Sequence, residues 1–326
     1  TPNSLLHALL QAPVDLLWNG GIGTYVKSSQ ENHADVGDKA NDAIQVDADQ
    51  LRCRVIGEGG NLGITQPARQ EFCLHGGACN TDFIDNAGGV DCSDHEVNIK
   101  ILLDSIVEAG DLTIKQRNLQ LKKMTDAVAD LVLSNNYRQA LAISLAEAQT
   151  VDKMGEFRRL ISHLEDEGKL DRSLESIPED DVLAERRMDG KGLTRAELSV
   201  IISYCKAQMK EELISSDLPE DEYAAKELET AFPAELVERY RDEIHGHRLK
   251  REIISTQIAN HMINQMGISY VHRLQLSTGC NAPAIAKSYI LARDVFQLPA
   301  LWQWIEELDD DVGSEVQAKM MMELQR

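Results

Sequence analysis

Three short apolar runs early in the chain each break off into a turn of glycine and asparagine. This pattern limits the fold more than any other feature. The runs are Val14-Asp15-Leu16-Leu17-Trp18, Arg54-Val55-Ile56 and Asp82-Phe83-Ile84. They lead into Asn19-Gly20-Gly21-Ile22-Gly23-Thr24, Glu58-Gly59-Gly60-Asn61 and Asp85-Asn86-Ala87-Gly88-Gly89. Short uninterrupted apolar runs suit the buried strands of a parallel sheet. A strand end, a tight turn and a helix start, repeated, describe the carboxyl edge of such a sheet, where open α/β folds bind ligands. Glycine lets backbone approach a flat ligand, and asparagine offers both a donor and an acceptor. The Gly20–Gly23 turn is not a phosphate loop, because it lacks the Gly-Lys-Ser/Thr ending.

Around these turns the chain reads in a simple order. Leu5–Gln11 is a short helix halted by Pro13. Ser28–Asp49 is a polar surface excursion with a helix over Asp38–Ile44. Arg52–Gly57 is a strand, and Gln66–Phe72 a helix opened by Thr65, with Pro67 at an early position. From Val97 onward apolar residues recur at helical spacing. They do so through Met124–Leu133, Ala140–Ala148, Phe157–Leu164, Leu198–Leu213, Leu236–Ile244, Ile253–Met266 and Ile285–Phe296. Thr194 and Glu197 make a capping box, and Pro219, Pro233, Pro283 and Pro299 mark helix starts. Glu165–Asp189, charged and aperiodic, reads as a hinge or mobile connection.

The expected fold class is therefore α/β with a partial Rossmann-like parallel sheet, followed by an all-α helical domain. Residues 1–110 form the second half of a dinucleotide-binding domain, and 111–326 form the helical domain. Three strands are too few for a complete doubly wound sheet, so the other half is expected outside this chain.

Composition narrows the function classes. The formal net charge is −21, and the acidic residues are spread along the chain. A nucleic-acid grip or an anionic-membrane dock needs clustered Lys and Arg, so neither partner is expected. No apolar run approaches the ~20 residues that cross a bilayer, and the N-terminus lacks a signal-peptide layout. The six cysteines form no Cys-x-x-Cys pair, which fits reduced thiols in a cytoplasmic protein. Cys73, Cys79 and Cys92 lack the close pairing of zinc ligands, and no metal is expected.

Asn86-Ala87-Gly88-Gly89 is the strongest local signal for chemistry, and Glu58-Gly59-Gly60-Asn61 repeats its logic. The stretch Asp91-Cys92-Ser93-Asp94-His95-Glu96 admits three readings: a Ser/His/Asp set, a metal cluster, or a Ser93–Glu96 capping box before the apolar run at Val97. The capping box is favoured, because sequence neighbours do not converge as a triad and no i, i+4 His pair is present. A capped helix start also leaves amides that suit a carboxylate ligand. The basic cluster His245–Arg251 reads as a helix end paired with acidic neighbours, and Trp302/Trp304 as core or interface.

At these residues the chain resembles the glutamate/leucine/phenylalanine dehydrogenase superfamily. Its Glu-Gly-Ala-Asn-x-Pro-Thr motif corresponds to Glu58–Thr65, and its Asn-Ala-Gly-Gly-Val-x-x-Ser motif to Asn86–Ser93. The large bacterial NAD-dependent glutamate dehydrogenase class is similar over longer stretches: LLWNGGIGTYVK (Leu16–Lys27), VGDKAND (Val36–Asp42), EGGNLGITQPAR, TDFIDNAGGVDCSDHEVNIK (Thr81–Lys100) and HRLKREIIST (His247–Thr256). The resemblance covers essentially the whole chain.

The resemblance implies NAD as cofactor and L-glutamate/2-oxoglutarate as substrates, in a homo-oligomer. It implies that Asn19 and Gly20 form a coenzyme-contacting turn, with Gly60 as a point of close approach. Asn61 would contact the nucleotide ribose region, and Asn86 the nicotinamide side and the amino acid. Val90 and Ser93 would line the substrate side-chain pocket, Ser93 bonding the distal carboxylate. The family's Pro-Thr after the first asparagine is replaced by Gly63-Ile64-Thr65. Its catalytic lysine, aspartate and Gly-x-Gly-x-x-Gly turn find no match here. The chain is thus expected to be a C-terminal fragment with no catalytic residue of its own, inactive alone. The rival reading is a non-catalytic helical assembly or regulatory module with a vestigial α/β piece.

Overall fold

Pro2–Leu10 coil into a helix under the Thr1 side chain, as a computed structural model describing residues 1–325 shows. The strands are β1 (Leu16–Asn19), β2 (Val26–Lys27), β3 (Val46–Asp47) and β4 (Val55–Glu58). β1 pairs with β4 in parallel, Leu16 opposite Val55 and Asn19 opposite Glu58. β2 and β3 make a second small parallel pair, and single bridges join Val26 to Ile64 and Val55 to Ala78. Because β1 and β4 run in register, their glycine turns emerge side by side at one edge.

Several local readings hold for reasons contained in a few residues. Thr65 caps the helix Gln66–Leu74, its Oγ1 accepting from the Ala68 N–H at 3.2 Å, with Pro67 inside the first turn. Thr194 and Glu197 form their capping box: Glu197 Oε2 accepts from Thr194 N–H at 2.7 Å, and Thr194 Oγ1 from Glu197 N–H at 3.3 Å. The His245–Arg251 cluster is paired with acids, His245 to Glu229 at 2.9 Å and Lys250 to Glu220 at 3.1 Å. Trp302 is buried, whereas Trp304 is exposed.

Other readings are corrected. β1 is not a buried strand: Leu16 and Trp18 are 54% and 60% exposed, and only the inward-facing Leu17 packs on the core. Asp82–Ile84 is not a strand but part of a short helix, Asp82–Asp85, because both its aspartates reach across to the β4 turn. β4 is met at its other edge by Ala78, whose carbonyl accepts from Ile56 N–H at 2.9 Å. The Ser93–Glu96 capping box does not form, since the helix containing it already begins at Ala87 and runs to Ala109. Asp38–Ile44 is a series of turns rather than a helix; the helical turn is His33–Val36, capped by Asn32. Glu165–Asp189 is tied down by Arg172, which donates to Glu165 at 2.6 Å, Asp180 at 3.0 Å and the Pro178 carbonyl at 3.0 Å. The two apolar segments between Met124 and Ala148 are one helix, Thr125–Glu147.

Compactness divides the chain out of linear order. One unit comprises residues 1–87 with 146–204, the other 88–145 with 205–326. In the first, Val26, Val46, Ile56, Ile64, Ala68 and Phe72 form the core under the small sheets. The start of helix Arg195–Ile214 joins this unit: the Ala196 carbonyl accepts from Gln66 Nε2 and Thr81 Oγ1, both at 3.1 Å. In the second unit, helix Ala87–Ala109 buries Ile99, Leu102, Leu103 and Ile106, and helix Lys250–Met266 buries Ile254, Ile258, Met262 and Ile263. Each such side chain contributes about 1.5–3 kcal/mol on burial, which sets those two faces inward. Among the described residues no helix is long and apolar enough to cross a membrane. No group of three or more His, Cys, Asp or Glu among them is placed to hold a metal ion.

Candidate functional site

The parallel register of β1 and β4 brings two turns into contact. The Asn19 carbonyl accepts from Gly59 N–H at 2.8 Å and Gly60 N–H at 3.1 Å, and Asn19 Oδ1 accepts from Gly21 N–H at 3.4 Å. A Cβ on Gly60 would stand 2.5 Å from the Gly21 carbonyl oxygen, and one on Gly63 would stand 1.6 Å from Asn19 Nδ2. At Gly60 backbone therefore meets backbone, and only glycine permits it, whereas at Gly63 the Asn19 side chain occupies the space a methyl would need. Asn86, the residue between the two helices that follow, donates from Nδ2 to the Gly60 carbonyl at 3.2 Å and to Asn61 Oδ1. Asn19, Gly20, Gly60, Asn61 and Asn86, all expected from the sequence, thus share one rim.

Val90 and Ser93 belong to the second unit. Both are exposed, one turn apart on helix Ala87–Ala109, and Ser93 Oγ donates to the Val90 carbonyl at 2.8 Å. The Ser/His/Asp set is not a triad. His95 Nδ1 lies 3.0 Å from the Ala231 carbonyl and Nε2 lies 3.7 Å from Asp91, while Asp91 accepts from Asn135 at 2.9 Å.

The rim stands on a buried polar network that the sequence reading did not single out. Glu58, fully buried, receives two bonds from Arg69, at 2.7 and 3.0 Å. Asp85 accepts from Glu58 N–H at 3.1 Å and from Asn80 Nδ2 at 2.8 Å, and Asp82 accepts from Leu62 N–H at 2.8 Å. These carboxylates hold both ends of the turn that carries Gly60 and Asn61. Burial pushes the Glu58 carboxyl up while the Arg69 guanidinium opposes that rise. Burial likewise raises Asp85, against the Asn80 amide and the Glu58 N–H. Glu58 keeps Arg69 charged against its own desolvation. The available signal was a charged residue closing an apolar strand, with an arginine on the inward face of the next helix.

Beside the rim lies a cavity of about 350 Å³, lined by Trp18, Asn19, Gly21, Tyr25 and Gly63 over an apolar wall of Leu6, Leu10, Leu17 and Ile56. Asn19 Nδ2 is buried and has no hydrogen-bond partner among the described residues. A glycine cradle with an unspent amide donor suits a ligand that presents a flat face and an acceptor oxygen. A separate cavity of about 450 Å³ lies within the second unit, lined by Asp91, His95, Asn135, Asn264 and neighbours. It includes none of the site residues expected from the sequence.

Gly60→Ala should destabilise the first unit by about 1–3 kcal/mol, since the added methyl meets backbone rather than a movable side chain. Gly89→Ala, where a Cβ meets nothing within 4 Å, should instead stabilise its helix by roughly 0.5–1 kcal/mol. Urea unfolding of the two variants reads both; equal shifts would show that the turn yields freely.

Residues 1–146 match the family model described as "Bacterial NAD-glutamate dehydrogenase, catalytic domain", and residues 190–326 match "Glutamate dehydrogenase, C-terminal". Relatives named NAD-specific glutamate dehydrogenase include that of Pseudomonas aeruginosa, 61% identical over 325 residues, covering 100% of this chain and 20% of the relative. The Halomonas elongata protein is 56% identical over 326 residues, with the same coverages. The Mycobacterium tuberculosis protein is 43% identical over 304 residues, covering 93% of this chain and 19% of the relative. The chain thus spans about one fifth of the length of these curated relatives. With the two domain matches following one another along its sequence, the chain belongs to the bacterial NAD-glutamate dehydrogenase family.

Proposed function

We propose that this chain supplies the second half of an NAD- and glutamate-binding site, within a Rossmann-like domain that we place over residues 1–110, ahead of a helical domain over 111–326. The observation that carries the reading is the β1–β4 register, which sets Asn19 against Gly60 while Asn86 ties to Asn61. The Gly60 cradle and the free Asn19 amide fit one half of a dinucleotide. Asn19, Gly20 and Gly60 would lie along it, Asn61 at a ribose, and Asn86 at the nicotinamide side. Val90 and Ser93 would shape the glutamate side-chain pocket, with the Ser93 hydroxyl turned from Val90 to the distal carboxylate. NAD, when bound, would supply the hydride acceptor for the glutamate Cα. The resulting imine is hydrolysed to 2-oxoglutarate and ammonium, and the residues named here position the reactants. A homo-oligomer in the cytoplasm goes with this reading.

No residue of the chain matches the family's catalytic lysine or aspartate, so this polypeptide alone is expected to reduce no NAD with glutamate. Robust turnover would overturn that. In the longer protein, Asn86→Ala with Ser93→Ala should lower glutamate turnover on the order of 100-fold through lost positioning. Unchanged kinetics would favour the rival, a non-catalytic helical assembly module.

A further inference from the structure

Cys73 lies in the last turn of helix Gln66–Leu74, and the chain reverses through Gly76-Gly77 to bring Cys79 back against it. The reversal is built into the backbone. Gly76 has φ +94°, and a Cβ on Gly77 would stand 2.3 Å from the Phe72 ring. The two sulfurs are consequently 3.6 Å apart. Cys73 is half-buried, while Cys79 is buried. We propose that Cys73 and Cys79 form a reversible dithiol–disulfide site for oxidants of the peroxide class.

A hydrogen bond from Cys79 holds the Cys73 thiol below its ordinary range against the opposing effect of burial, which makes Cys73 the attacking sulfur. Its thiolate displaces one peroxide oxygen, giving Cys73 sulfenic acid and, with one proton, water. Cys79 sulfur then attacks the Cys73 sulfur, the S–O bond breaks, and a second water leaves carrying the Cys79 proton. Two thiols have lost two electrons and two protons, and one peroxide has become two waters. The bridge would pin the end of the helix to the segment whose Ala78 carbonyl and Asn80 amide anchor β4 and Asp85. It would therefore act on the rim turn from behind, whatever the rim binds.

The test uses the reduced full chain, treated with hydrogen peroxide, denatured, alkylated and digested with trypsin. Residues 70–100 contain no internal Lys or Arg, so one peptide carries Cys73, Cys79 and Cys92. The expected peptide has lost two hydrogens and takes an alkyl group at Cys92 alone, and dithiothreitol restores both lost alkylation sites. In Cys79→Ser, Cys73 should gain oxygens instead of a bridge. The proposal is overturned if Cys73 and Cys79 stay alkylatable at a peroxide dose that oxidises the exposed Cys92, or if the bridge formed involves Cys92.

Discussion

Arg69→Ala is expected to cost the first unit about 3–5 kcal/mol, the range for removing one partner of a buried ion pair. Glu58 is fully buried and Arg69 is 3% exposed, so the loss would strand a carboxylate that water cannot reach. Asp82 and Asp85 would then crowd Glu58 with no guanidinium between them, because Arg69 Nη2 also lies 3.6 Å from Asp82. Hydrogen exchange should locate the damage at the Gly59 and Gly60 amides and the helix Asp82–Asp85, with the second unit unaffected. Arg69→Lys should recover only part, since a lysine cannot make the two parallel bonds. Pairing Arg69→Met with Glu58→Gln should recover more than either single change. A cost below about 1 kcal/mol for Arg69→Ala, comparable to a surface pair, would refute the role given to this network.

The second unit should lose about 3 kcal/mol of stability as pH falls from about 4.5 to about 2, through Glu227. Burial alone would raise this carboxyl, but His261 at 3.5 Å and Arg293, donating at 2.6 and 2.9 Å, outweigh it and bring it from 4.5 to about 2. The folded value lies below the unfolded one, so the stabilisation is present above the unfolded value and disappears as pH drops through the folded one. Asp294 and Tyr223 hold Arg293 from its other side, Arg293 Nε donating to Asp294 at 2.8 Å and Tyr223 Oη donating to the same carboxylate at 2.8 Å. Urea midpoints of the second unit measured from pH 5 to 2 should follow this slope. Glu227→Gln should be less stable at neutral pH and lose most of the slope. A variant with the wild-type slope would assign the acid loss to other carboxylates.

What was legible in the sequence is what a few neighbouring residues settle among themselves. Thr65 with Pro67, and Thr194 with Glu197, start their helices through bonds that reach three residues at most, so their identities suffice. The glycine turns after Leu17-Trp18 and Val55-Ile56 were legible for the same reason: no other residue lets Gly60 approach Gly21. Asp82-Phe83-Ile84 was not legible, because so short an apolar run suits a strand or a helix equally. The choice was made by Asp82 and Asp85 bonding Leu62 and Glu58, twenty and twenty-seven residues earlier in the chain. Ser93-x-x-Glu96 likewise reads as a cap until the tertiary structure starts its helix at Ala87. The sequence by itself determined the Thr65 and Thr194 helix caps, the glycine rim and the family. The tertiary structure alone decided that Arg69 supports the rim and that the Gly76-Gly77 reversal sets the Cys73 and Cys79 sulfurs 3.6 Å apart. Burial and long-range pairing confer those roles, and neither is written into the local pattern of residues.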